Sequence, residues 1–168
     1  MPLHKVWRVG ANIDTDSLAP GAYMKQELSQ IAQHALENNH PGLAQAIRPG
    51  DVLVAGPNFG IGSSREQAVG VLVTLGVKAV IAPSFSGLYF RNAYNLGLFA
   101  IVCAEADRIP EGALVDVDVR QAEIRVHEEG REPVVLPCQK LPDFLIDMAE
   151  AGGLLNQLQR HHQARIHE

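Results

Sequence analysis

The sequence predicts an α/β fold in which parallel βαβ units are followed by an antiparallel β meander. Two observations carry that prediction. Between Asp51 and Val102, three short apolar runs alternate with two helical patterns, the rhythm of parallel strands joined by right-handed helical crossovers. Beyond Ile109-Pro110-Glu111-Gly112 the pattern turns to alternation, through Leu114, Val115, Val117, Val119, Ile124 and Val126 to Val134–Leu136, as in antiparallel strands with one buried face. A glycine-rich joint, Gly56 to Ala68, links the first apolar run to the first of the two helices.

In chain order, His4 to Val9 alternates around Val6, Trp7 and Val9 and reads as a first strand ended by Gly10. Ala11 to Pro20 is rich in Asn, Asp and Ser, whose side chains bond local backbone, so it reads as a loop of turns; its two carboxylates, Asp14 and Asp16, suit a cation, an arginine or plain solvent. From Gln26 to Asn38, Leu28, Ile31, Ala32, Ala35 and Leu36 form the stripe of one amphipathic helix. The preceding Gly21 to Lys25 reads as an exposed connection able to act as a lid. Asp51 to Ala55 is a buried strand, Ala68 to Leu75 a helix closed by Gly76, and Val77 to Ala82 a second buried strand. Leu88 to Leu96 is a helix closed by Gly97, and Leu98 to Val102 a third buried strand. After the meander, Asp143 to Ala151 is a helix stopped by Gly152-Gly153, and the stretch from about 155 to 168 is expected to be a flexible tail. No repeat or linker divides the chain, so one domain is expected over residues 1–168.

Composition narrows the classes. With 46% hydrophobic residues the chain can bury a substantial core, and a net charge of −5 without a basic run argues against nucleic acid as a partner. Met1 leads directly into a charged strand, and no apolar stretch reaches membrane-spanning length, so a soluble, cytoplasmic protein without membrane association is expected. The two cysteines, Cys103 and Cys138, are too few for a disulfide framework or an iron–sulfur cluster, and the seven histidines show no metal-ligand spacing. No metal site is expected in this chain.

The joint, Gly56-Pro57-Asn58-Phe59-Gly60-Ile61-Gly62-Ser63-Ser64-Arg65-Glu66-Gln67-Ala68, is where the residues point to chemistry. Its glycines, Gly60 and Gly62 among them, allow close approach of backbone N–H groups to a ligand. Ser63 and Glu66 have the spacing of a capping box, which would start a helix at Ser63. With Arg65 in the first turn, such a start attracts a carboxylate or phosphate. The same residues also read as a capped turn with a solvated arginine. Other glycine motifs do not fit: Ser63 stands where a P-loop needs lysine, Arg65 where the dinucleotide motif needs its third glycine, and no glycine follows either serine at the nucleophile-elbow spacing.

Gly60 to Ala68, followed by Gly76-Val77-Lys78-Ala79-Val80-Ile81-Ala82-Pro83-Ser84-Phe85 and by Arg91-Asn92 before Gly97-Leu98, resembles the aconitase superfamily, and more narrowly the small subunits of two-subunit isopropylmalate dehydratases. The resemblance begins at Ile13-Asp14-Thr15-Asp16 and covers nearly the whole chain. It implies a swivelling β/β/α domain of aconitase type and a hydro-lyase that moves a hydroxyl between neighbouring carbons of a small di- or tricarboxylate. It also implies a large partner subunit carrying a 4Fe-4S cluster, with none bound by this chain. Carried over residue by residue, Ser63 matches the alkoxide base, Ser64 and Arg65 match ligands of the substrate carboxylate, and Asp16 matches an active-site aspartate expected to hold Arg65 or the serine region in place.

Three positions depart from many relatives: Ile61 stands for cysteine, Gln67 for histidine, and Pro20-Gly21-Ala22-Tyr23 for Pro-Ala-Arg-Tyr. Met24-Lys25 follows in the segment that reads the substrate's distinguishing group, so Lys25 is either a cation for an extra carboxylate or a solvated side chain. That leaves isopropylmalate beside homoaconitase, citraconate and dimethylmalate chemistry. A stand-alone carboxylate-binding regulatory module is the alternative of another class.

Overall fold

The first strand is the pivot of the sheet. In the computed structural model, which describes residues 2–166, β1 (His4–Arg8) pairs in parallel with β2 (Val52–Val54) on one side and antiparallel with β5 (Leu114–Asp118) on the other. Beyond β2 lie β3 (Ala79–Ala82) and β4 (Phe99–Val102), both parallel; beyond β5 lie β6 (Glu123–His127) and β7 (Val134–Pro137), both antiparallel. The seven-stranded order is β4-β3-β2-β1-β5-β6-β7. Every residue of β2 and β3 is buried, as their continuous apolar runs require, whereas β6 alternates, with Ile124 and Val126 turned into the core.

The two outermost strands meet. Past β7, the Gln139 amide donates to the Val102 carbonyl at the end of β4 (2.8 Å), and the Cys103 thiol reaches the Pro137 carbonyl (3.4 Å). The sheet is thus curled nearly shut around the core.

Of the helices, α1 (Thr15–Leu18), α2 (Leu28–Ala32) and α3 (Leu43–Ala46) lie between β1 and β2. Helix α4 (Gln67–Leu75) joins β2 to β3, and α5 (Gly87–Asn95) joins β3 to β4. Helices α6 (Asp143–Glu150) and α7 (Leu154–Ile166) follow β7. Helix α2 packs on α4, α4 on α5, and α5 on both α6 and α7.

Three expectations are corrected. The single helix expected from Gln26 to Asn38 is only α2, five residues long, followed by turns. Its stripe is buried from Ile31 to Leu36, but Leu36 takes φ +60° and its amide bonds the Ser17 carbonyl (2.8 Å), a tertiary bond that ends the helix. No helix begins at Ser63: α4 starts at Gln67, behind a Glu66 N-cap with no side-chain cap bond. The stretch expected as a tail is helical up to Ile166; it buries no side chain, so it rests on intrinsic propensity more than on packing. Positions 167 and 168 of that stretch lie outside the described residues.

Desolvation raises four titrating groups in or near the core. Burial lifts the Tyr89 and Tyr94 hydroxyls and the Cys103 thiol above their ordinary ranges, and pushes Cys138 up to about 11. An unfolded thiol ionises near 9, so between about pH 9 and 11 the unfolded chain loses its protons first, and stability falls as pH rises through that window. Urea midpoints are expected to decline from pH 8.5 to 11, with a shallower decline for Cys138→Ala. A flat or rising midpoint would contradict this.

Candidate active site

The carboxyl ends of β1, β2 and β3 build one surface. After β1, residues 10–16 run alongside the glycine loop that follows β2. The Gly60 amide bonds the Ile13 carbonyl (2.7 Å), the Thr15 amide bonds the Ile61 carbonyl (2.8 Å), and Asp14 bridges Ile61 in parallel. On its other side the loop leans on the segment after β3, where the Asn58 amide donates to Ser84 Oγ (2.8 Å) and the Phe59 amide to the Ser84 carbonyl (3.1 Å). Three strand ends thus set the position of one loop.

Two glycines are required by this geometry. Gly60 has φ +84°, and a Cβ there would overlap the buried Tyr89 ring. Gly62 has φ +113°, and a Cβ there would stand 2.8 Å from Thr15 Oγ1. Neither side chain would leave the loop where it is.

The chain then runs over Thr15 before entering α4, and this replaces the expected capping box. The Ser63 amide, which would have been a free helical N–H, donates to Thr15 Oγ1 at 3.0 Å. Ser63 Oγ lies 3.3 Å from the same hydroxyl and accepts from Arg65 Nε at 2.9 Å. Arg65 Nη1 donates to the Ala19 carbonyl (3.0 Å) and lies 3.5 Å from Asp16 Oδ1. Asp16 Oδ1 also accepts from the Gly21 amide at 2.9 Å. Nη2 of Arg65 has no partner among the described residues, so that nitrogen stays available to an anion.

Ser63, Arg65 and Asp16 are therefore brought together from segments far apart in sequence. Ser64 is exposed beside them, with its carbonyl accepting from Asn92 Nδ2 on α5 (3.1 Å). Lys25 is not drawn in: it is exposed and forms no side-chain bond or ion pair among the described residues. The segment before it is tied down, not loose. Gly21–Tyr23 forms a 3-10 turn, the Tyr23 ring stacks on His34 at 3.7 Å, and its hydroxyl donates to Glu37 (2.9 Å), which also bonds His34. Those bonds to His34 and Tyr23 hold the Glu37 carboxyl below its ordinary range.

Sequence reasoning passed over Thr15, which is 3% exposed and touches both the amide and the hydroxyl of Ser63. Its signal would have been a hydroxyl between two aspartates, which says nothing of a partner 48 residues away. A cleft of about 540 Å³ opens next to the site, between α2 and α4, lined by residues that include Gln26, Leu28, Glu66 and Gly70. None of Asp16, Ser63, Ser64 and Arg65 lines it; Asp16, Ser63 and Ser64 are exposed and Arg65 half-buried, so the constellation sits on an open face. Among the described residues no group of three or more His, Cys, Asp or Glu is placed to hold a metal ion, and no helix is long and apolar enough to cross a membrane. Cys103 is buried and Cys138 half-buried, both with raised thiols, so they do not suit a cluster.

The family model for the aconitase C-terminal domain matches residues 16–106, from Asp16 through the glycine loop to beyond β4. Over 159 residues the chain is 36% identical to a 3-isopropylmalate dehydratase small subunit of Thermotoga maritima, covering 94% of each. Over 153 residues it is 42% identical to a methanogen homoaconitase small subunit of Methanothermobacter thermautotrophicus, covering 90% of this chain and 87% of that one. The fold is similar to a crystal structure of 3-isopropylmalate dehydratase (leuD) from Methanocaldococcus jannaschii, with a TM-score of 0.88 and 34% identity over 97% of this chain and 96% of that one.

Proposed function

Because the chain belongs to the aconitase C-terminal domain family, we propose that it is the small subunit of a two-subunit hydro-lyase that interconverts 2-isopropylmalate and 3-isopropylmalate in leucine biosynthesis, in the cytoplasm. In this reading a 4Fe-4S cluster is carried by the large subunit; the two cysteines of this chain, one buried and one half-buried, are too few to hold it. The observation that carries the reading is the Arg65 guanidinium, bonded through Nε to Ser63 Oγ and held by Ala19 and Asp16, with Nη2 left without a partner among the described residues.

In this reading the free Nη2 of Arg65 holds a substrate carboxylate by a charge-assisted bond, and Ser63 takes a proton from the carbon beside it. Ser64 adds a hydroxyl to the same anion. Asp16 acts as the counter-charge that keeps Arg65 in register, while the Gly21 amide stops it from closing fully onto the guanidinium. The openness of the site supports a partner that completes it, a role the large subunit fills.

A second reading follows from the homoaconitase relative and from Lys25, an exposed cation just beyond Tyr23. There the substrate carries an additional carboxylate, which Lys25 reads. The two are separated by anaerobic reconstitution with the large subunit and comparison of hydration rates for isopropylmaleate, citraconate and homoaconitate. Isopropylmaleate is expected to be preferred, and Arg65→Lys to lower kcat/KM about a hundredfold, because a single ammonium cannot reproduce the spaced donors that reach Ser63, Ala19 and the anion at once. A preference for homoaconitate that disappears in Lys25→Ala would replace the first reading with the second. Carboxylate binding without hydration of any acid would favour the regulatory module.

A further inference from the structure

Thr15 is held in a way that capping and packing do not explain. It is the first residue of α1, whose N-cap is Asp14, so its hydroxyl is not needed to start that helix. The side chain is 3% exposed, yet its hydroxyl is aimed outward at the exposed Ser63, accepting the Ser63 amide (3.0 Å) and lying 3.3 Å from Ser63 Oγ. Space is reserved for it: Gly62 is the residue whose Cβ would stand 2.8 Å from Thr15 Oγ1.

The direction of the hydroxyl contact depends on the state of Ser63. While Ser63 carries its proton, either oxygen can donate. Once that proton is gone, Ser63 Oγ has nothing to donate, and Thr15, already accepting from the Ser63 amide, can only be the donor. Two donors then converge on one oxyanion from fixed positions, Arg65 Nε at 2.9 Å and Thr15 Oγ1 at 3.3 Å. Preorganised donors of this kind are how a protein lowers the cost of a developing charge.

We infer that Thr15 is a hydrogen-bond donor to the ionised Ser63, favouring the deprotonated, proton-accepting form of its oxygen; this rests on the proposed reading of Ser63 as the base. The charged groups on the segments that meet at Ser63 are Arg65 on its own loop, Asp14 and Asp16 on the segment after β1, and Glu66 at the start of α4, while α5 contributes the neutral Asn92. Thr15 differs from the charged groups in being neutral, so it acts by direction, not by net charge.

The test is the pH dependence of the reconstituted enzyme with Thr15→Val, Thr15→Ser and Ser63→Ala. Valine keeps the volume and removes the hydroxyl, leaving the Ser63 amide to face a methyl; a thermal melt checks the fold, and Thr15→Ser, which keeps the acceptor, is the comparison that holds the loop in place. Thr15→Val is expected to lower kcat about thirtyfold, less than the loss of a short oxyanion donor because the 3.3 Å contact is long. It should also move the basic-form limb of the kcat profile up by about one pH unit, with Thr15→Ser recovering most of both changes. A Thr15→Val enzyme slowed with an unmoved limb, or not rescued by serine, would reduce Thr15 to a structural residue while leaving Ser63 as base if Ser63→Ala is inactive. Full turnover in Ser63→Ala would overturn both.

Discussion

Ser63→Ala is expected to cost the reconstituted enzyme about a thousandfold in kcat while leaving the chain folded. General base catalysis by a positioned side chain contributes on the order of a hundred- to ten-thousandfold. The fold is indifferent to the hydroxyl. Ser63 is exposed, it caps no helix, and the partner it would abandon, Arg65 Nε, lies on a side chain 29% exposed that water can reach. The experiment compares turnover, substrate affinity and melting temperature. A fall in kcat with affinity and melting temperature held would locate the effect in the chemical step. Loss of affinity alone would make Ser63 a ligand and shift the search for the base to the partner subunit.

Gly60→Ala is expected to have the largest effect on stability, about 3 kcal/mol, combining strain at positive φ with overpacking. The added Cβ would stand 2.6 Å from Tyr89 Cδ2 and closer still to its Cβ and Cγ. Tyr89 cannot yield easily. It is 2% exposed, packs edge-on against Phe59 at 5.2 Å, and donates to the Ala68 carbonyl at 3.0 Å. For a domain of this size the melting temperature should fall by roughly 6–12 °C. Gly112→Ala is the control, since Gly112 has φ +81° but nothing within 4 Å of the added carbon. It isolates backbone strain, about 1 kcal/mol. Equal losses at the two sites would mean that the Tyr89 contact carries no weight.

Much of the fold could be read from local patterning because the pattern is what the sheet requires. Residues 52–54 and 79–82 are apolar throughout and buried on both faces; Ile124 and Val126 alternate because β6 faces water on one side. The failures share a different physics. The stripe from Leu28 to Leu36 is buried as helical periodicity implies, yet the Leu36 amide is claimed by the Ser17 carbonyl and the helix stops. At Ser63 the capping-box spacing is present, but the amide that a cap would leave for the helix is taken by Thr15. In both cases a bond from a distant segment outcompetes a local one, and no window of sequence contains it. Family resemblance named Ser63, Arg65 and Asp16, and the structure brings those three together; Thr15 became visible only once the two loops were side by side.

The curl of the sheet bears on what its margins offer to other chains. An open seven-stranded sheet would offer a row of unpaired amides and carbonyls at each margin, which other chains can template upon. Here the Gln139 amide on the Val102 carbonyl brings the two margins to each other, so each partly shields the other. Their fates are joined. Any opening at residues 102 and 139 uncovers both margins in one event, one of them carrying the exposed Val134 and Val135. Soluble yield during refolding should therefore depend on how fast this last, long-range join forms after the rest of the sheet is in place.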